Sequence, residues 1–138
     1  MSGWVFADTS SLIAYFAFDE AHLTAFRTLD EILRSRRRLL TTTDVFDEVV
    51  TWVRSKAGCA PAVRIGEVLR TSTLTKLVDI DDSLRERAWQ LFRKHKIPKL
   101  SLTDCTSFAV MEKFYIKEAF TFDEDFSKAG FSILPGKS

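Results

Sequence analysis

The chain has little of what builds the commonest cofactor sites and scaffolds. Its two cysteines, Cys59 and Cys105, lie far apart, with neither the paired spacing of a zinc site nor the density of a disulfide framework. That usage suits a reducing compartment, so a cytoplasmic location is expected. The five glycines nowhere form the G-x-G-x-x-G spacing that a dinucleotide-binding turn needs. No apolar run approaches the ~18 residues of a membrane span. The opening "MSGWVFADTS" has no positive flank and only a short apolar stretch, unlike a secretory signal. No membrane partner is expected. A formal net charge of +1 excludes a strongly basic protein that coats nucleic acid indiscriminately, but leaves room for a local basic patch.

What the chain does have is bulk for a core. Hydrophobic residues make up 46% of 138 positions, with twelve Phe and three Trp, enough to bury one substantial core and too short for two. A single domain over residues 1–138 is expected, with no linker, repeat or low-complexity segment to divide it.

The apolar pattern switches between short runs and helical spacing. "WVFA" (Trp4 to Ala7) reads as a buried strand. A helix follows from Ser10 to about Phe18, then another from about Ala21 with Phe26, Leu29 and Leu33 on one face. "LLTTT" is a second strand, and Phe46, Val49, Val50 and Val53 mark the next helix. Gly58 and Pro61 break it before a further helix to about Arg70. "KLVDI" is a third strand; Leu84, Ala88, Leu91 and Phe92 stripe the helix after it. A helix from Thr103 to about Phe114, a strand at "EAFTF", a short helix near Asp125 and a strand at "FSIL" complete the chain. Strands alternating with helices predict an α/β fold, a three-layer α/β/α sandwich with a mainly parallel central sheet, because parallel neighbours need crossovers. In such sheets ligands bind outside the carboxyl ends of the strands.

Four acids are expected at that rim. Asp8 ends the first strand, Asp123 ends the fourth, Glu48 sits one turn into the helix after the second, and Asp104 opens the helix leading to the fourth. Two carboxylates ~4 Å apart repel by ~4 kcal/mol at an effective dielectric of ~20, so such a set calls for a cation or a retained proton. Singly, Asp8, Asp104 and Asp123 have ordinary explanations, while Glu48, lying among Phe46, Val49 and Val50 where the cap needs are already met, is harder to dismiss. Asp8 and Asp104 suit helix starts, and Asp44 with Asp47 are explained as a cap and its return contact. Asp125 suits a cap for the last short helix. Together, four acids from four distant segments at one edge point to hard, oxygen-bound ions such as Mg²⁺ or Mn²⁺; zinc would want His or Cys.

These segments resemble the motifs of the PIN-domain ribonucleases, and within them the VapC-type toxins of toxin–antitoxin pairs. "DTS" (Asp8 to Ser10) is similar to the family's first acid with its hydroxyls, Glu48 in "VFDEVV" to the second acid, "SLTDCTSFAV" to the third motif through Asp104, and "TFDEDF" to the fourth through Asp123, with Asp125 at a variable place. The resemblance implies a Mg²⁺- or Mn²⁺-dependent endoribonuclease using one or two ions, with RNA as substrate, a cognate antitoxin as partner and a homodimer as the common assembly. It implies Asp8 and Asp104 as main metal ligands, Asp123 as a further ligand or water-bridged support, and Glu48 as ligand or orienter of the attacking water. Ser10 and Thr121 are the expected hydroxyl supports of the carboxylates.

Other signals carry less. "DEAH" (Asp19 to His22) lacks a phosphate-binding loop, and "GKS" (Gly136 to Ser138) lacks the first glycine of such a loop, Phe131 standing in its place. The basic runs "RSRRR" (Arg34 to Arg38) and "RKHK" (Arg93 to Lys96) fit solvated helix ends better than RNA contacts. Trp52 and Trp89 sit near apolar stripes and suit core or dimer contacts; Cys105 suits a buried small residue. A phosphatase of the Asp-x-Asp kind is disfavoured because Ser10 stands two residues after Asp8. A PIN-like domain kept only for RNA or protein binding is the remaining alternative.

Overall fold

The continuous apolar run from Val5 to Ala7 is wholly buried, with none of the alternation of a half-exposed strand, so this strand must be covered on both faces. The computed structural model describes residues 3–17 and 20–136. Phe18, the expected end of the first helix, lies outside them, as do Asp19 of "DEAH" and the last two residues of "GKS". The elements run β1 (Trp4–Ala7), α1 (Thr9–Ala17), α2 (His22–Arg34), β2 (Arg38–Thr42), α3 (Thr43–Ala57), α4 (Cys59–Thr71), β3 (Thr75–Val78), α5 (Asp82–Lys94), α6 (Leu102–Lys113), β4 (Glu118–Phe120), α7 (Asp125–Lys128) and β5 (Ser132–Leu134). No described helix is long and apolar enough to cross a membrane.

The five strands form one sheet in the order β3-β2-β1-β4-β5, and every pairing is parallel. The chain therefore starts in the middle, builds outward through β2 and β3, and crosses back to add β4 and β5 on the other side. That reversal makes the carboxyl ends of β1 and β4 the switch point, where connections leave in opposite directions and a crevice opens. The register there pairs Ala7 with Phe120, so the residues that follow, Asp8 and Thr121, emerge side by side.

α6 explains how the core is closed. Cys105 to Met111 are all buried, so this part of the helix is covered around its whole circumference and runs through the interior, the hydroxyls of Thr106 and Ser107 donating back to Thr103 O. Phe108 meets Phe126 edge-on at 5.0 Å between centroids, and Phe126 stacks on Phe6 of β1 at 6.2 Å. Each such fully buried ring contributes about 1.5–3 kcal/mol of transfer free energy. This chain of rings fixes α6 and α7 against the middle of the sheet.

Several expectations are corrected. α2 buries Ala25, Thr28 and Ile32, while Phe26 is exposed and stacks on Tyr15 of α1 at 6.3 Å. Small residues let α2 approach closely, and the large ring covers the joint from outside. The cap of α3 is Thr42, whose hydroxyl accepts from the Val45 N–H at 3.0 Å; Asp44 and Asp47 do not cap. Gly58, at φ +100°, alone ends α3, and Pro61 sits in the first turn of α4, where its missing N–H breaks no helical bond. β4 stops at Phe120, before Thr121 and Phe122: Thr121 N–H still bonds Leu134 O at 3.0 Å, but the donors after it turn to hydroxyls, Phe122 N–H to Ser10 Oγ at 3.0 Å and Asp123 N–H to Thr121 Oγ1 at 2.9 Å.

Candidate active site

Where the switch point opens, backbone and side chains together anchor Asp8. Its N–H extends the ladder to Phe120 O at 3.0 Å, which drives the carboxylate into the gap between β1 and β4, 5% exposed. Two hydroxyls donate to the same oxygen, Oδ2: Thr121 Oγ1 at 2.8 Å and Ser10 Oγ at 3.0 Å. Since these hydroxyls also accept from Asp123 N–H and Phe122 N–H, a single relay ties Asp8 to the loop carrying Asp123. Ser11, not singled out in the sequence, lies 2.6 Å from Phe120 O and pins the start of α1 to the end of β4.

Asp104 stands both at a helix start and among the acids. It is the third residue of α6 and forms a capping box with Ser101: its N–H donates to Ser101 Oγ at 2.9 Å, and its Oδ2 accepts from Ser101 N–H at 3.3 Å. Yet it also offers an oxygen to a group with Asp123 and Asp125 in which the ligand atoms lie within 4.8 Å of one another. Asp125 does not cap α7. It is the first residue of that helix, and its N–H donates to Asp123 Oδ1 at 2.9 Å, which sets the two carboxylates beside each other.

Glu48 stands apart. It is exposed, accepts from Thr9 Oγ1 at 2.7 Å, and lines an open groove of about 540 Å³ with Thr9, Ile13, Asp47, Thr51 and Trp52. Its link to the other acids runs through Thr9, the neighbour of Asp8 in the chain.

The electrostatics reflect crowding. Burial raises the Asp8 pKa, against the lowering effect of the Thr121, Ser10 and Thr9 hydrogen bonds, and the charge of Asp123 adds to the rise. Asp104 is pushed up to about 6, first by burial and then by the charge of Asp8, with Asp123 contributing. Among the described residues no lysine or arginine pairs with Asp8, Asp104 or Asp123; Lys128 lies 3.8 Å from Asp125. Burial and the Asp104 charge push the Cys105 thiol up to about 11, so without a metal it stays protonated near neutral pH. An all-carboxylate set, short of cations and with Asp8 and Asp104 raised in pKa, fits a hard divalent ion and not zinc.

Comparison with known proteins places the chain in a family. Residues 5–132 match the PIN domain family. Over 129 residues, 92% of this chain and 95% of the relative, the sequence is 36% identical to the 23S rRNA-specific endonuclease VapC20 of Mycobacterium tuberculosis. The crystal structure of that protein, described as a sarcin–ricin loop cleaving toxin, superposes with a TM-score of 0.81 at 35% identity, covering 92% of this chain and 95% of that one. A toxin–antitoxin complex from Klebsiella pneumoniae shares the fold, with a TM-score of 0.68 at 17% identity over 94% of this chain and 95% of its own. The chain belongs to the PIN-domain family and, within it, to the VapC-type toxins.

Proposed function

We propose that this single-domain protein is a divalent-metal-dependent endoribonuclease, the toxin of a toxin–antitoxin pair, hydrolysing RNA phosphodiester bonds in the cytoplasm. The observation that carries the reading is the approach of Asp104, Asp123 and Asp125 to within one ion's reach, beside a buried Asp8 at the switch point. Its similarity to an enzyme named for 23S rRNA makes that RNA the first substrate to offer it.

Asp8, Asp104 and Asp123 would hold one or two ions, with Asp125 as a further donor. Bound Mg²⁺ or Mn²⁺ supplies polarisation of the phosphoryl oxygen and a lowered pKa for bound water. The protein's own groups supply position. Ser10 and Thr121 fix the Asp8 carboxylate through Oδ2, removing the freedom that would otherwise be lost on each turnover. Glu48, held by Thr9 on the groove side and open to solvent, orients the attacking water. A cognate antitoxin is the regulatory partner. Homodimerisation is expected too, and the stacked Trp89 and Phe92, 48% and 39% exposed on α5, give it apolar area.

The test incubates wild type and Asp8→Asn with 23S rRNA, in Mn²⁺ or in chelator. Cleavage is expected only from wild type with Mn²⁺. Cleavage that survives the substitution or the chelator would reject the mechanism; RNA binding without cleavage in any metal would favour the non-catalytic alternative.

A further inference from the structure

An acidic centre that must admit a polyanion needs positive charge near it, because the same carboxylates that hold a cation repel phosphate. The chain has two basic runs, and the fold separates them. Arg34 to Arg38 run from the end of α2 into the first residue of β2, at the amino ends of the strands, away from the acids. Most of that run is engaged: Arg34 with Asp30 at 2.8 Å, Arg37 with Glu118, and Arg38 with Thr73 O at 3.1 Å while lying over the Trp4 ring.

The second run differs in place and in state. The segment from His95 to Leu100 joins α5 to Ser101, the cap of the helix that carries Asp104. Lys99 is two residues from Ser101, which puts their Cα atoms within about 7 Å. The segment is anchored from inside. The His95 ring meets Phe108 at 5.9 Å, Phe108 meets Phe126 next to Asp125, Ile97 packs against the core, and Leu100 is buried. Between these anchors the cations point outward: Arg93, Lys94, Lys96 and Lys99 are all exposed. Among the described residues none of the four makes an ion pair. A helix-end role accounts for Arg93 and Lys94, in the last turn of α5, but not for Lys96 and Lys99, which lie beyond it.

We infer that Lys94, Lys96 and Lys99 form a phosphate track for single-stranded RNA, leading the backbone to the acids at the start of α6 and α7. The inference rests on the nuclease reading and adds to it the surface that draws the substrate in. Neutralising one phosphate of a single strand contributes about −0.7 to the slope of log K against log salt. Three contacts therefore contribute about −2, and their loss weakens binding about 100-fold at 0.1 M salt.

The experiment measures fluorescence anisotropy of a labelled single-stranded RNA across a salt series, in chelator so that nothing is cut. Wild type is compared with Lys94→Gln/Lys96→Gln/Lys99→Gln and with Arg27→Gln/Arg36→Gln/Arg64→Gln. The arginine variant makes the same charge change at exposed positions elsewhere. The expected result is a slope shallower by about 2 in the lysine variant alone, with its melting temperature unchanged. Equal losses in both variants would mean net charge and overturn the track. Wild type that binds RNA and cleaves it once Mn²⁺ is restored, with its slope kept by the lysine variant, overturns this inference alone. Wild type that binds no RNA overturns the nuclease reading with it.

Discussion

Replacing Asp104 by Asn should stabilise the protein in chelator and destabilise it in Mn²⁺, relative to wild type. The folded-state pKa of Asp104 is raised from 3.8 to about 6, chiefly by burial and by Asp8, so folding favours its neutral form. For an acid raised in this way, the contribution to stability is complete below the unfolded value and is lost as pH rises through the folded one. The metal-free wild type should thus lose stability between about pH 4 and pH 6. The shift corresponds to about 3 kcal/mol at 1.36 kcal/mol per pKa unit, reduced to about 1–2 kcal/mol because the carboxyl is partly exposed and solvent screens it. Asn keeps the side-chain oxygen that accepts from Ser101 N–H, so the capping box survives the change. At pH 7.5 in chelator, urea unfolding should place the variant about 1–2 kcal/mol above wild type, and at about pH 4 the two should coincide. Adding Mn²⁺ to 100 times its dissociation constant should raise wild type by about 2.7 kcal/mol and the variant far less, so the order reverses. A variant less stable than wild type in chelator at pH 7.5, or one gaining as much from Mn²⁺, would refute the idea that these carboxylates repel one another until a cation joins them.

Two more substitutions separate the supports from the ligands. Thr121→Val keeps shape but removes the buried hydroxyl that donates to Asp8 Oδ2 and accepts from Asp123 N–H, and should cost about 2–3 kcal/mol in urea unfolding. A loss under about 0.5 kcal/mol would show the relay to be dispensable. Glu48→Gln should leave the Mn²⁺-induced rise in melting temperature intact while slowing RNA cleavage, because Glu48 bonds Thr9 and lies outside the group of Asp104, Asp123 and Asp125. Loss of that rise would make Glu48 a ligand.

The parts of the molecule legible in its sequence are those governed by local pattern. Val5 to Ala7 reads as a buried strand because three consecutive apolar residues leave no face for water, and α6 reads as a helix despite being buried over most of its length, although its Ser101 cap stands two residues before the expected start at Thr103. Misplaced boundaries share one cause. "TTTD" (Thr41 to Asp44), across the start of α3, contains four acceptable caps, and the fold selects Thr42. Thr121 and Phe122 read as strand, but β4 ends at Phe120 and hydroxyls from Ser10 and Thr121 claim the Phe122 and Asp123 donors; Ser10 lies 112 residues from Phe122. No window along the chain reveals such a partner.

The same limit governs function. That Asp8, Asp104 and Asp123 stand near the carboxyl ends of the strands was readable, since strand ends and helix starts converge there in any parallel sheet. Which carboxylates lie closest together was not, because it depends on how an Asx-type turn sets Asp125 beside Asp123, and on Thr9 holding Glu48 on the groove side. The two basic runs make the point most sharply, because composition treats their cations alike. In the fold, Arg34 and Arg37 are each spent on a carboxylate and Arg38 on a carbonyl and an indole, at the amino edge of the sheet, whereas Lys96 and Lys99 make no ion pair among the described residues, beside the helix that bears Asp104. A cation's availability to a ligand is set by what else it touches and by which end of the strands it stands at. Both are properties of the tertiary structure, and they are what makes one run structural and the other a candidate path for RNA.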